Sequence, residues 1–123
     1  MKPNLGAIPF HELPIAVLDF ETTGLDCGTD RVVQVSVVHC QGMAPLRVGL
    51  NSLINPQRPI DPRASAVHGI TDRDVVGAPT FGDMTGRVVT CLEGRVFASY
   101  NAAFDLRVLR AELRLAGLVG RHP

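Results

Sequence analysis

The sequence has little of several features on which whole classes of protein depend. Its cysteines, Cys27, Cys40 and Cys91, are an odd number without C-x-x-C spacing, so neither a disulfide framework nor a zinc knuckle is indicated. Twelve basic residues balance twelve acidic ones, so no overall positive field draws the protein to nucleic acid or to anionic membranes. No apolar run approaches the roughly 18 residues of a membrane span, and the first residues lack a basic-then-apolar signal pattern. We therefore expect a cytoplasmic protein with no membrane partner, in which any phosphate recognition is local.

The apolar residues that are present suffice for one domain. A hydrophobic content of 46% over 123 residues fits a single globular domain with a modest core. Residues 1–13 hold two prolines and no sustained period, which predicts a lead-in segment before a domain at 14–123. β-Branched runs between turn formers predict strands at 14–21, 31–40 and 46–55, and their short connections favour an antiparallel meander. His39, near the end of the second strand, is predicted to be a polar surface residue.

After the third strand the sequence shows helix starts and stops. Asp61 before Pro62 fits an N-cap and first helical residue, and Gly69 fits the residue just past a short helix. Two capping boxes indicate further helix starts: Thr71 with Asp74, and Thr80 with Asp83. The second of these helices is predicted to run over residues 81–94.

The stretch "RVFAS" predicts a short fourth strand, and Asn101 is predicted to cap the helix after it. The helix has apolar residues at the 3.6-residue period: Leu106, Leu109, Leu113 and Ala116. It is predicted to end near Gly117 or Gly120. Its arginines are either a phosphate-contacting stripe or a solvated face, and the amphipathic pattern favours the solvated face: Arg107, Arg110 and Arg114.

Two carboxylates interrupt the first strand, in the stretch "AVLDFETTGLD". Side chains two apart on a strand project from the same face, about 6.5 to 7 Å apart, so Asp19 and Glu21 should point together while Phe20 points into the core. Buried carboxylates are usually paired, hydrogen-bonded or bound to a metal, and Mg²⁺ suits oxygen ligands. The alternative is a solvated strand end, because a lone D-x-E is a weak signal.

A third acid, Asp105, stands in "SYNAAFDLRVL", in the first turn of the helix that follows the fourth strand. One interpretation is an acid that interacts favourably with the helix dipole. The other is a third metal ligand, at the edge where ligand sites of open α/β sheets gather.

Three stretches in this order, "LDFETTGL", "VHGIT" and "YNAAFDLRVL", resemble the motifs of the DnaQ-like 3′-to-5′ exonucleases. These belong to the DEDD superfamily, which includes the proofreading subunit of bacterial DNA polymerase III. The resemblance covers roughly residues 14–118. It implies an α/β, ribonuclease-H-like fold: a mixed sheet, made of an antiparallel three-strand meander plus a parallel strand, flanked by helices.

The resemblance also implies a site that binds two divalent metal ions, Mg²⁺ or Mn²⁺. Asp19, Glu21 and Asp105 match the metal-binding acids. Other positions match groups near the 3′-terminal nucleotide: the turn Thr22, Thr23 and Gly24, then Leu25 packing on its base or sugar, and His68. The implied partner is a nucleic-acid 3′ end, single-stranded DNA first and RNA second, with a DNA polymerase as a further candidate.

The sequence departs from the family pattern in its last part. The family carries a third motif, H-x-x-x-x-D, well downstream of the second, whereas here His122 is followed only by Pro123. We therefore expect a C-terminally truncated fold, with exposed apolar surface that favours marginal stability or self-association. Two functions follow as alternatives: a 3′-to-5′ exonuclease of the proofreading or repair type, or an inactive exonuclease-fold protein that binds a metal, a nucleic-acid end or a protein partner.

Overall fold

Three long strands make up the first half of the domain. β1 (Pro14–Thr22), β2 (Val32–Gln41) and β3 (Ala44–Leu53) pair as an antiparallel meander. β4 (Val96–Ala98) pairs parallel with β1, so the strand order is β3-β2-β1-β4. The computed structural model describes residues 5–26 and 28–117, and within them the predicted mixed sheet is confirmed, with strand ends moved by one or two residues.

The helices begin where the capping residues predict. They are α1 (Pro62–His68), α2 (Asp72–Val75), α3 (Phe81–Leu92) and α4 (Ala102–Leu115). Asp61 caps α1 by accepting the backbone N–H of Arg63 at 2.8 Å, and Gly69 ends that helix in the left-handed region with φ of 77°. Both capping boxes form. No helix in the described part of the chain is long and apolar enough to cross a membrane.

The main core lies between one face of the sheet and the two longest helices. Side chains in alternate positions of β1, Ala16, Leu18 and Phe20, point to that face and are buried. They pack with residues from β2, α3 and α4: Val35, Val37, Phe81, Met84, Val88, Val108 and Leu109. A second, smaller cluster joins β2 to the α1–α2 segment: Val33, Ile60, Ile70 and Val75.

The face that α4 turns to the sheet differs from the predicted one. Leu106, predicted as apolar lining, is 40% exposed, whereas the buried face holds two acids in phase with apolar residues: Asp105, Val108, Leu109 and Glu112. The helix is rotated because donors for both carboxylates lie on the sheet side, the Ser99 hydroxyl for Asp105 and the Val32 backbone N–H for Glu112. The arginines at 107, 110 and 114 are exposed, which agrees with a solvated face.

Asn101 stands at the N-cap position of α4, but its side chain makes no capping hydrogen bond. The helix ends at Leu115, close to the predicted Gly117, which has φ of 83°. Cys27, Gly120 and His122 lie outside the described residues.

The prediction that His39 is a surface residue is wrong. Its position on β2 is in phase with Val35 and Val37, so the ring faces the helices and is only 5% exposed. Its Nε2 lies 2.9 Å from the carbonyl of Cys91 at the end of α3, and its Nδ1 accepts from Arg47. Gly49 on β3 makes room for the ring, since a Cβ there would lie 2.7 Å from it. The strand period alone indicated this burial.

Candidate active site

β1 carries the first two candidate acids on the face of the sheet opposite the main core. Asp19 is exposed and Glu21 is half-buried, while Phe20 between them is buried, as the alternation of strand side chains predicts. β4 pairs with β1 at Ile15–Val17, so both acids lie beyond the end of that pairing. The first turn of α4 lies beside this end of β1.

Asp105 in that first turn is nearly inaccessible, with 4% of its surface exposed. Its carboxylate accepts a hydrogen bond from the hydroxyl of Ser99, which follows β4. Burial raises the pKa of Asp105 above its ordinary value and the negative charge of Asp19 adds to this, although the Ser99 hydroxyl and the Phe20 backbone N–H act in the opposite direction. Asp105 thus lies against β1, within electrostatic reach of Asp19.

The pKa of Glu21 is raised by the same causes as that of Asp105. Burial raises its pKa, and the charges of Asp19 and, more weakly, Asp105 raise it further, while His68 lowers it. Like charges in one place disfavour ionisation, because each carboxylate is destabilised by the others. Asp19, Glu21 and Asp105, the three acids predicted from the sequence, therefore share one electrostatic environment.

The same acids are a donor set suited in chemistry to a hard divalent cation, since all their ligating atoms are carboxylate oxygens. Among the residues that the structure describes, however, no group of three or more His, Cys, Asp or Glu side chains is arranged so that it could hold a metal ion. The acids are brought to one edge of the sheet without forming a closed ligand cluster.

His68, at the end of α1, is held through both ring nitrogens. Nδ1 accepts the backbone N–H of Ile70 at 3.0 Å, so Nε2 carries the proton and donates to the carbonyl of Thr22, also at 3.0 Å. These bonds fasten α1 to the end of β1. His68 also lines the neighbouring cleft while both of its ring nitrogens are engaged in these bonds.

The turn after β1 uses its hydroxyls internally. Thr22 donates to the carbonyl of Gly24 at 2.5 Å, and Thr23 donates to the carboxylate of Asp30 at 2.6 Å. Both threonines are buried, whereas Leu25 is 89% exposed. The groups that the turn presents outward are therefore its backbone and the Leu25 side chain.

A cleft with a cavity volume of about 370 Å³ opens between this turn, α1 and the start of α4. Its walls combine apolar and polar groups: Phe20, Glu21, Thr22, Gly24, Leu25, Asp61, Arg63, Ala64, Val67, His68 and Phe104. Five of the predicted site residues line it, Glu21, Thr22, Gly24, Leu25 and His68, whereas Asp19, Thr23 and Asp105 do not. The cleft thus combines apolar walls with charged groups, the carboxylates of Glu21 and Asp61 and the guanidinium of Arg63.

Sequence reasoning missed several residues that support the site. Ser99, Asp30 and Glu112 belong to no recognisable motif. Glu112 could have been found, because it stands seven residues after Asp105 and four after Val108, in phase with the buried face of α4. Ser99 and Asp30 carry no signal of this kind, since their partners come from the folded chain.

A family model described as "Exonuclease" (RNase T) matches residues 16–119, almost the whole described domain. The chain belongs to the DnaQ-like exonuclease family. A Rhodobacter capsulatus protein named "DNA polymerase III subunit epsilon-like protein" is 38% identical to this chain over 115 residues. The match covers 92% of this chain and 16% of that protein. "Uncharacterized exonuclease CP81" of Escherichia phage 186 is 38% identical over 102 residues, 82% of this chain and 50% of the phage protein.

Solved structures of the same family share the fold. Exonuclease X, in a complex with 5′ overhanging duplex DNA, has a TM-score of 0.66 at 30% identity, covering 77% of this chain and 53% of that one. Product-bound exonuclease I has a TM-score of 0.75 at 18% identity, over 84% of this chain and 25% of its own. The chain thus spans half or less of the length of the two curated relatives named above.

Proposed function

We propose that this DnaQ-like domain, residues 14–123 after a lead-in at 1–13, is a 3′-to-5′ exonuclease that hydrolyses phosphodiester bonds at DNA 3′ ends. The observation that carries the proposal is the meeting of Asp19, Glu21 and Asp105 at one edge of the sheet, where burial and like charge raise the pKa of Glu21 and of Asp105. Carboxylates perturbed in this way beside a cleft are typical of functional sites.

Asp19, Glu21 and Asp105 are the proposed ligands of Mg²⁺ or Mn²⁺. When bound, two such ions supply a hydroxide nucleophile at neutral pH and stabilise the leaving 3′ oxygen. The protein's own part is to hold three oxygen donors on two elements, β1 and α4. Ser99 and the backbone of Phe20 orient the carboxylate of Asp105 toward β1.

The cleft is the proposed seat of the 3′-terminal nucleotide. Leu25, Val67 and Phe104 offer apolar surface for a base or sugar, and Val67 is 85% exposed before anything binds. The backbone of the turn Thr22–Gly24 approaches the nucleotide, and the ring of His68 forms part of the wall. Arg63 stands at the rim with its side chain 92% exposed, and its guanidinium is paired with the carboxylate of Asp61 at 2.9 Å.

Single-stranded DNA is the proposed substrate, with RNA second. The support is for DNA in general: the structure of Exonuclease X holds 5′ overhanging duplex DNA, and other relatives are named as polymerase epsilon subunits. The same names support association with a DNA polymerase. Self-association is supported by exposed apolar side chains on the hairpin and edge strand β3: Met43, Leu46 and Val48.

The test is degradation of a 5′-labelled single-stranded oligonucleotide by the purified chain with Mg²⁺ or Mn²⁺. Glu21→Gln removes one ligand charge, and Glu93→Gln is the matched control because Glu93 is an exposed glutamate at the end of α3. We expect a ladder that shortens from the 3′ end with the wild type and Glu93→Gln and disappears with Glu21→Gln.

The second candidate is a domain that binds nucleic-acid ends without hydrolysis. It is favoured by the lack, among residues 5–26 and 28–117, of a closed group of three metal-binding side chains. A folded wild-type chain that binds the labelled oligonucleotide and leaves its length unchanged in both metals would select this candidate over the enzyme.

A further inference from the structure

The carboxylate of Asp30, which the proposed chemistry does not use, lies inside the turn after β1 and accepts hydrogen bonds from it. Asp30 accepts the hydroxyl of Thr23 on Oδ1 at 2.6 Å and the backbone N–H of Asp26 on Oδ2 at 2.9 Å. These two bonds close both ends of the segment that carries Gly24 and Leu25. The turn therefore wraps around the side chain of Asp30.

Gly24 is required by this arrangement. A Cβ at position 24 would lie 2.5 Å from Oδ2 of Asp30 and 2.9 Å from its Cγ, closer than such atoms approach. The backbone of the turn thus packs directly on the carboxylate, and the Leu25 side chain remains on the outside, at the cleft.

The neighbour of Asp30 ties the same turn to α4. Arg31 and Thr23 exchange hydrogen bonds, since Thr23 N–H donates to the Arg31 carbonyl at 2.8 Å and Arg31 N–H donates to the Thr23 hydroxyl oxygen at 3.0 Å. The guanidinium of Arg31 then donates to Oε1 of Glu112 from Nε at 3.0 Å and Nη2 at 2.7 Å. Because α4 also carries Asp105, the turn and that acid are joined through one rigid helix.

A third element braces the same carboxylate. Nη1 of Arg58, in the segment before α1, lies 3.7 Å from Oδ1 of Asp30, and the same nitrogen donates to the carbonyl of Thr29. The backbone N–H of Asp61 donates to the Thr23 carbonyl at 2.9 Å. Both walls of the cleft, the turn and the start of α1, are therefore held in place by bonds to Asp30 and to the residues around it.

We propose that Asp30 is a positioning residue for the terminal nucleotide: it fixes the turn Thr22–Leu25 in the shape that binds a 3′ end, while Arg31 and Glu112 fix the distance of that turn from Asp105. The inference rests on the proposed function and deepens it by naming what shapes the nucleotide-binding wall. If Asp30 acted only in folding, replacing it should lower the stability of the protein without weakening the binding of a 3′ end by the folded form. A positioning role predicts weaker binding of the 3′ end at unchanged global stability, with kcat little affected.

The test is Asp30→Asn, which keeps the size of the side chain and removes its charge and its second acceptor for the Asp26 N–H. Asp83→Asn is the matched control, because that carboxylate also accepts a backbone N–H, from Thr80 at 3.1 Å, but at the start of α3. The measurements are amide hydrogen exchange at Asp26, thermal unfolding, kcat and KM on a 5′-labelled single-stranded DNA, and the Kd of its 3′-phosphorothioate form.

We expect Asp30→Asn to raise Kd and KM by about tenfold, the effect of one lost polar interaction, and to speed exchange at Asp26 by a similar factor. Asp83→Asn should leave all three at wild-type values. The proposal is overturned if Asp30→Asn leaves Kd and the exchange unchanged, or if Asp83→Asn raises Kd equally.

A wild type that binds no oligonucleotide would reject the proposed function. Hydrogen exchange still separates the two questions in that case, because it needs no substrate. Faster exchange confined to Asp26 and its neighbours in Asp30→Asn would support the ordering of the turn by Asp30, and unchanged exchange would refute it.

Discussion

The two buried acids of α4 lie on the same face of one helix and have opposite surroundings. Asp105 is 4% exposed and Glu112 2% exposed. Glu112 accepts two guanidinium hydrogen bonds from Arg31 on Oε1 and the backbone N–H of Val32 on Oε2 at 2.9 Å. Asp105 accepts from neutral donors, the Ser99 hydroxyl and the Phe20 backbone N–H, and has the like charge of Asp19 nearby.

The difference separates a structural carboxylate from a candidate metal ligand. The buried charge of Glu112 is compensated, because a guanidinium donates twice to one of its oxygens and a backbone N–H donates to the other, and it fastens α4 to the start of β2. A buried charge among other acids is costly to keep ionised, and such a cost is tolerated where a cation or a reaction needs the charge. Seven residues along one helix thus separate the anchor from the candidate ligand.

The largest expected effect comes from Asp105→Asn, which preserves shape and an acceptor for Ser99. If Asp105 is a ligand, kcat should fall by about a thousandfold, the size seen when a strong electrostatic contributor is removed from an active site. The unfolding midpoint in urea should stay level or rise, because the variant removes a poorly compensated buried charge. Wild-type activity in this variant would contradict the assignment.

The next effect in size concerns Glu112→Ala. Removing one partner of a buried pair should cost about 3 kcal/mol of unfolding free energy, toward the lower end of the usual range because the Arg31 side chain is 22% exposed. Urea denaturation measures the loss. The double variant Arg31→Met with Glu112→Met should recover most of it, since an apolar pair removes both charges together. A double variant no more stable than Glu112→Ala would show that the Val32 hydrogen bond, and not the ion pair, matters most.

The smallest effect is the pH dependence of stability without metal. The pKa of Glu21 is raised from 4.5 and that of Asp105 from 3.8, so the native state binds protons more readily than the unfolded state. The contribution of these two carboxyls to the unfolding free energy should therefore rise as pH falls from neutral through the raised native values, and this gain is complete below the ordinary ones. Urea titrations in EDTA would show it, and the double variant Glu21→Gln with Asp105→Asn should flatten this rise. A pH dependence that is the same in the wild type and in this double variant would contradict the shared site.

Local patterns predicted most of the fold. Period-two alternation located the strands, and short-range hydrogen bonding located the helix starts, because caps such as Asp61 and Thr80 bond residues two or three positions away. The same local rule brought Asp19 and Glu21 to one face. The pattern was wrong for His39 and Leu106, whose exposure depends on elements distant in sequence: the end of α3 and the rotation of α4 against the sheet.

By itself, the sequence determined the mixed sheet, the order of its elements, the family and the three candidate acids. Each of these can be recognised from short stretches of residues that are close together along the chain. Only the tertiary structure decided which acid is compensated and which is not. Arg31 and Glu112 are separated by 81 positions, and the carboxylate of Asp30 acquires its role from the turn that folds over it. Electrostatic energy depends on distance in space and on burial, and neither can be read from spacing along the chain.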